Sequence, residues 1–481
     1  MPGKFTDHSW GGRMSITFNY RSMLAETVGF QAGLTVPEIE ALDGAFQASL
    51  KDLSQRRRTG ELPFWDLPFD ERSIEEVSRF AAEKRRRFAD FVLLGIGGSA
   101  LGPIALHRAL NHPLHNLLGA ERRGGCRFFC PDNVDPDLLG AVLDVVEPSE
   151  TLFNVVSKSG GTAETAAQFL IILDILKSRL GERWREHLVL TTDPERGMLR
   201  RFARKEGVAS FAIDPGVGGR FSVLTPVGLL PAAMTGINIT RICAGARAVE
   251  RVCFTDRLTA NPPALIAALF HLAQVKKRLP IHILFAYSNR LYPVADWFRQ
   301  LWAESLGKRY DLSGREVFTG PTPVKAVGAT DQHSQVQLYV EGPVDKAVLF
   351  LGTKRFGRKV DIPSGDRVLE ESAYLWGKDL ASLLNAERRA TSYALARAGR
   401  PSMSLEVDAI DPEHMGALIY LLEAATLYAG GFYNINPLDQ PGVEAGKRAT
   451  NALMGRKGFE RERDEINRFF TAATEELMIE L

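Results

Sequence analysis

From about residue 90 the chain alternates between two textures. Short apolar runs closed by Gly or Asp are followed by longer stretches whose apolar residues recur every three or four positions, the pattern of βαβ units around a parallel sheet. The runs Phe91–Gly95, Arg127–Cys130, Leu152–Val156 and His187–Thr192 predict four parallel strands, with helices from about 100 to 110 and 163 to 179. A second cycle begins near residue 260, with a helix through Leu265–Lys277, the strand Ile281–Ala286 and a helix over Val294–Leu306. The alternation in Gln335–Val340 then predicts a strand, followed by the apolar run Val348–Leu351, a helical span near 413–429 and a helical tail. The first 80 residues mix helical periodicity with Pro-rich turns such as Leu62–Pro68 and predict a helical cap.

Composition narrows the class without changing this picture. With 481 residues, 45% hydrophobic, 24% charged and a net charge of +1, the chain reads as an ordinary globular protein of two or three domains, not a disordered or nucleic-acid-coating one. The basic runs Arg56–Arg58, Lys84–Arg87 and Arg122–Arg123 sit among acidic residues and read as solvated surface. The amino terminus lacks the apolar stretch of a signal peptide, and no run of about 18 apolar residues stands out, so a cytoplasmic protein with no membrane or nucleic-acid partner is expected. Cys126, Cys130, Cys243 and Cys253 have neither disulfide-framework nor zinc spacing and are expected to be reduced. His107, His112 and His115 lack an accompanying carboxylate, and Pro113 breaks the helix that would align them, which argues against a metal.

Candidate chemistry sits where strands give way to helices, because helix N-termini there offer free N–H groups and a positive dipole end. After Val156, the loop Ser157-Lys158-Ser159-Gly160-Gly161-Thr162 brings hydroxyls, a lysine and close backbone approach to one point ahead of a helix, as a phosphate site requires. The plainer reading is a Ser/Thr helix cap with turn glycines. Gly95-Ile96-Gly97-Gly98-Ser99-Ala100 also follows a strand and fits G-x-G-x-x-A, but the acidic residue expected about 20 positions on, at the end of the next strand, to hold a ribose is missing there, Asp132 after Phe128-Phe129 coming too late, and Gly98 with Ser99 suits a sugar equally. Gly218-Gly219-Arg220-Phe221-Ser222 could bring a guanidinium against an oxyanion, or simply hold an ion pair. Gln300 and Glu304 share a face of a helix expected to end at Gly307, so the carboxylate could face a cleft or lie on the surface beside Lys308. His333, in a loop before the expected strand, and Lys447, after the turn-rich Asp439–Gly446, prove little alone.

Together, Gly95–Ser99, Ser157–Thr165, Gly218–Ser222, Gln300–Lys308, His333-Ser334 and Asp439–Lys447 resemble the phosphoglucose isomerase family, motif by motif and in order, over roughly residues 90 to 450. The resemblance implies an α/β fold of two sugar-isomerase (SIS-type) domains, each a mainly parallel sheet flanked by helices. The expected division is a cap at 1–80, domains at 81–250 and 251–430, and a segment at 431–481 carrying an active-site lysine. It further implies a homodimer that interconverts glucose 6-phosphate and fructose 6-phosphate in glycolysis and gluconeogenesis, through ring opening and an enediolate, with no cofactor and no metal. Gly98, Ser99, Ser157, Lys158, Ser159 and Thr162 match substrate-holding positions, the hydroxyls around the phosphate, and Gln300 and Gln440 match other substrate contacts. Glu304 matches the base, Arg220 the residue beside the enediolate, and His333 and Lys447 the ring-opening groups, His333 arriving from the neighbouring subunit. Carboxylates titrate near 4.3 and are weak bases toward carbon acids, so an adjacent positive charge such as Arg220 fits the chemistry.

The chain departs from many members of that family at Gly160 and Gly161, where bulkier or hydroxylated residues are common, and in its shorter length. Two other readings stand beside it. A nicotinamide-dependent oxidoreductase would use the G-x-G-x-x-A match, and a non-catalytic sugar-phosphate sensor would not need Glu304, His333 and Lys447 together.

Overall fold

Five strands form the first sheet, all parallel, in the spatial order Arg127–Phe129, Asp90–Leu94, Thr151–Ser157, Leu188–Thr192, Ala209–Ala212. The computed structural model describes residues 3–4, 14–158, 160–365 and 367–472. Every residue of Asp90–Leu94 and Thr151–Ser157 is buried, which explains why these strands read as unbroken apolar runs and not as alternating ones. Leu94, Val155 and Leu190 pack against Phe169, Ile172 and Leu176 of the helix Ala163–Leu180, each such side chain contributing about 1.5–3 kcal/mol on burial. The first strand in sequence has the second on one side and the third on the other, so the direction of winding reverses beside it. The loops that follow Leu94 and Ser157 leave the same end of the sheet across this switch point, where open α/β sheets place their ligands.

The second sheet runs Gly3–Lys4, Ile16–Asn19, Ser402–Ala409, Lys346–Arg355, Ile281–Ala286, Thr322–Val327. Its last four strands are parallel, whereas Ile16–Asn19 pairs antiparallel to Ser402–Ala409, so the N-terminal cap region also supplies the strands at one side of the sheet. After Ile281–Ala286 the chain enters the helix Tyr292–Leu306, opened by Pro293 and closed at Gly307, whose N–H bonds the Ala303 carbonyl. Trp297, Phe298, Leu301 and Trp302 bury one side of it.

One expected strand is a helix. Residues 336–341 form a short helix: Val336, Leu338 and Val340 alternate, but Val336, Tyr339 and Val340 fall at i, i+3 and i+4, and the helical spacing brings these three against the core around Phe285 and leaves Leu338 exposed. The helix Pro412–Phe432 is long and apolar enough by length and composition to cross a membrane, contrary to the sequence reading, yet 94% of its apolar window is buried within the protein. It packs against the helices Ile239–Glu250 and Pro262–Lys277 as a core helix. Residues Leu438–Leu481 form a separate compact unit, whose described part contains the helices Glu444–Leu453 and Glu460–Ala472.

Candidate functional site

The phosphate-loop candidate follows the strand Thr151–Ser157. Ser157 is buried, its Oγ lies 3.2 Å from Thr162 Oγ1, and it accepts the Gly160 N–H at 3.1 Å, so the loop closes on itself directly ahead of the helix Ala163–Leu180. Thr192 Oγ1 donates to the Ser157 carbonyl at 2.7 Å and fixes the loop's root. The two glycines play different parts. Gly160 has φ +65° and a Cβ there would stand 2.9 Å from Met198 N, whereas a Cβ on Gly161 would meet nothing within 4 Å. Lys158 turns its ammonium onto the carbonyls of Pro215 (2.5 Å) and Val217 (2.8 Å), and burial lowers its pKa against the opposing pull of Asp193 and Asp214. It thereby ties the loop to the segment that leads into Gly218-Gly219-Arg220. Ser159 lies outside the described residues.

Across the switch point, Gly97–Ser99 and Gly219–Phe221 are single 3-10 turns pressed backbone to backbone. A Cβ on Gly98 would come within 2.4 Å of the Gly219 carbonyl carbon, so only glycine allows the approach. Gly97 has φ +57° and faces Gln300, whose Nε2 would lie 3.0 Å from a Cβ at that position. The sugar-loop candidates Gly98 and Ser99 therefore sit beside Arg220 and Gln300, although nothing in the sequence spacing connects them.

Arg220 is 2% exposed, and its planar fork is held on several edges. Nε donates to Ser305 Oγ at 2.7 Å, Nη2 to the Pro437 carbonyl at 2.6 Å, and Nη1 lies 3.4 Å from Glu304 Oε2. Glu304 Oε1 accepts the Gln300 amide at 3.0 Å, as expected for i and i+4 neighbours, and the carboxylate remains 28% exposed. Buried Lys308 donates to the Glu304 carbonyl at 2.6 Å and steadies the helix end that carries the carboxylate. A permanent cation buried with its donors fixed, next to an accessible carboxylate, is suited to moving a proton from carbon while stabilising the oxyanion that results.

Ser305 and the Pro437 carbonyl were absent from the candidates. A serine inside an apolar helix carries no motif, and a backbone carbonyl 217 positions from its guanidinium leaves no trace in the residue pattern.

The remaining candidates lie on other elements of the chain. His333 caps the turn Thr330–Gln332, its imidazole exposed and without a hydrogen bond among the described residues. Beside it Asp331 accepts from Val327 N–H (2.7 Å) and Ser334 Oγ (2.7 Å), which outweigh burial and hold its pKa below the ordinary value. In the C-terminal unit Gln440 precedes the turn Pro441–Val443, and Lys447 donates to Glu444 at 2.7 Å within its own helix. The histidine trio is otherwise engaged: His107 contacts Asn111, His115 contacts the Cys126 carbonyl, and His112 accepts the Leu114 N–H. No group of His, Cys, Asp or Glu that could hold a metal occurs among the described residues. All four cysteines are free thiols.

Known proteins resemble the chain over most of its length. The sequence profile of the Phosphoglucose isomerase family matches residues 76–478. A glucose-6-phosphate isomerase of Carboxydothermus hydrogenoformans is 48% identical over 89% of this chain and 92% of its own length, and one of Rubrobacter xylanophilus is 44% identical over 92% and 99%. Among solved structures, a hypothetical protein of Thermus thermophilus superposes with a TM-score of 0.82 at 39% identity, covering 92% of this chain and all (100%) of that one. A glucose-6-phosphate isomerase of Chlamydia trachomatis, at 23% identity, shares the fold with a TM-score of 0.81 over 95% of this chain and 92% of its own.

Proposed function

The chain belongs to the phosphoglucose isomerase family, and from that premise we propose how its residues divide the reaction it catalyses, the reversible interconversion of glucose 6-phosphate and fructose 6-phosphate. The phosphate is taken by Ser157, Ser159 and Thr162 at the N-terminus of the helix Ala163–Leu180, where unpaired N–H groups and the helix dipole favour a dianion. Lys158 braces this loop and adds positive charge. Gly98 and Ser99 receive the sugar, and Gln300 and Gln440 hold its hydroxyls. His333 and Lys447 open the ring by moving protons between the ring oxygen and the C1 hydroxyl. Glu304 then takes the C2 proton as the electron pair moves to the C1 oxygen, and returns it to C1 as the C2 hydroxyl gives its proton to the C1 oxygen and becomes the ketone carbonyl. Arg220 faces the enediolate and offsets its charge, which in a water-poor site is the larger share of the barrier reduction.

The observation that carries this assignment is the Arg220–Glu304 contact, a guanidinium buried and fixed by Ser305 and the Pro437 carbonyl beside a carboxylate still open to a ligand. Glu304→Gln preserves the shape and the Gln300 neighbour but removes the base. Coupled assays should show kcat reduced by about 100- to 10,000-fold with KM little changed. Turnover near that of the unaltered enzyme would overturn the role of Glu304.

His333 is exposed on the turn that follows the edge strand Thr322–Val327, which suits a histidine that serves another copy of the chain. The working form is then a homodimer in the cytoplasm, with two composite sites. Mixing Glu304→Gln chains with His333→Ala chains under exchange should regain activity in the hybrid dimers, because one site of each hybrid has both residues intact. A mixture as inactive as its parents would refute the shared site.

A further inference from the structure

Away from Arg220 and Glu304, the second sheet has a face that the helix Leu380–Arg397 covers only in part. In the pairing of Ile16–Asn19 with Ser402–Ala409, Thr17 lies opposite Glu406 and Asn19 opposite Ser404, all on one face, while Ile16, Phe18, Leu405 and Val407 fill the core on the other. The helix Leu380–Arg397 packs chiefly against the strand Lys346–Arg355 and reaches Ser402–Ala409 more sparsely, where Arg388 meets Glu406. Between helix and polar strand face lies a cleft of about 870 Å³.

Its lining is cationic. Arg21, Lys354, Arg388, Arg389 and Arg397 contribute to it, and Glu406 is the single carboxylate among the described lining residues. Glu406 is taken by Arg388, and Lys354 pairs with Asp408 at 2.6 Å, which leaves Arg21, Arg389 and Arg397 without an ion pair among the described residues. The floor is built for charge. Arg388 is 8% exposed and lies over Gly352, where a Cβ would come within 2.8 Å of its Nε, so the glycine in this strand is what admits a buried guanidinium. A surface run of arginines needs no such accommodation, and hydroxyls and an amide from two strands complete a wall that can bond a polar body as well as an anion.

We propose that this cleft binds a small phosphorylated polyhydroxy compound, with Arg21, Arg389 and Arg397 on its phosphate groups, Arg388 beneath them, and Thr17, Asn19 and Ser404 on its hydroxyls. The site shares no residue with the isomerase centre. A doubly phosphorylated ligand suits it best, because the unpaired guanidinium groups come from two separate elements, the turn Arg21–Met23 and the helix Leu380–Arg397.

The test is calorimetric titration of the full-length protein with fructose 1,6-bisphosphate and, separately, with inorganic pyrophosphate, both under saturating fructose 6-phosphate so that the isomerase site is filled. One equivalent of the bisphosphate should bind per chain, more tightly than pyrophosphate. The double variant Arg389→Gln/Arg397→Gln should bind it at least about tenfold more weakly, since each lost charged hydrogen bond is worth roughly that factor or more, while isomerase kcat and KM without the bisphosphate stay unchanged. Absence of binding under fructose 6-phosphate, or equal affinity in the double variant, would overturn the site. Pyrophosphate binding as tightly as the sugar would overturn the polyhydroxy part of the assignment.

Discussion

Removing the Ser305 hydroxyl isolates what holds Arg220 in place. In Ser305→Ala the guanidinium keeps the Pro437 carbonyl at 2.6 Å and Glu304 at 3.4 Å but loses the 2.7 Å bond from Nε, in a position 2% exposed where water has little access. A buried charged donor left unpaired costs about 1.5–3 kcal/mol. The fork can lower that cost by swinging toward Glu304, and a swing moves the charge away from where the enediolate forms. If about 1.4 kcal/mol of the loss falls on the transition state, kcat drops about tenfold. KM should change less than about threefold, because the phosphate-loop bonds of Ser157, Thr162 and Gly160 do not involve Ser305. The assay is coupled isomerisation on purified full-length protein, with Tm recorded in parallel. Ser305→Thr restores the hydroxyl at the risk of crowding a fully buried position, so kcat should recover even where Tm does not. A Ser305→Ala enzyme with lowered Tm but unchanged kcat would reduce Ser305 to a packing residue, and a selective rise in KM would place its effect on ground-state binding instead.

Other outcomes follow from the same geometry. Gly160→Ala forces a Cβ into a left-handed conformation costing about 1–2 kcal/mol, against Met198 N at 2.9 Å, and should raise KM about tenfold, whereas Gly161→Ser should stay within about twofold of the unaltered enzyme; equal effects on KM would contradict the distinction. Burial lowers the His107 and His282 pKa values to about 3. The unfolded chain, with histidines near 6.5, therefore binds more protons below that pH, and stability falls as pH drops from about 6.5 toward 3. At pH 5 the loss is about 2 kcal/mol for each of the two, and about as much for His271, which burial lowers to about 4, so Tm should be lower at pH 5 than at 7.5, and His107→Phe should remove at most about a third of that dependence; a Tm unchanged between the two pH values would refute it.

How much of this was legible in the sequence depends on how local the governing physics is. The parallel strands of the first sheet were readable because burial on both faces erases alternation, and the helix Tyr292–Leu306 because its apolar spacing, its proline start and its glycine stop agree. The strand Ile16–Asn19 was missed, since its long partner strand lies some 390 positions away and four residues of alternation cannot announce a strand. Residues 336–341 were misread because apolar side chains at 336, 338, 339 and 340 satisfy both alternation and the i, i+3, i+4 spacing, and only the core around Phe285 chooses between them. At the candidate site, residues with distinctive chemistry could be named from motifs: Arg220, Glu304 and the hydroxyl loop. Their mutual arrangement could not. It rests on Gly98 meeting Gly219 backbone to backbone, on Ser305 presenting an unremarkable hydroxyl, and on the carbonyl of Pro437, and each of these acts through atoms that every protein has. The two glycines of the phosphate loop make the same point in miniature. Side by side in sequence they are indistinguishable, yet one is required by φ and by the approach of Met198 while the other faces open space, so only Gly160 has a conformational reason to be glycine.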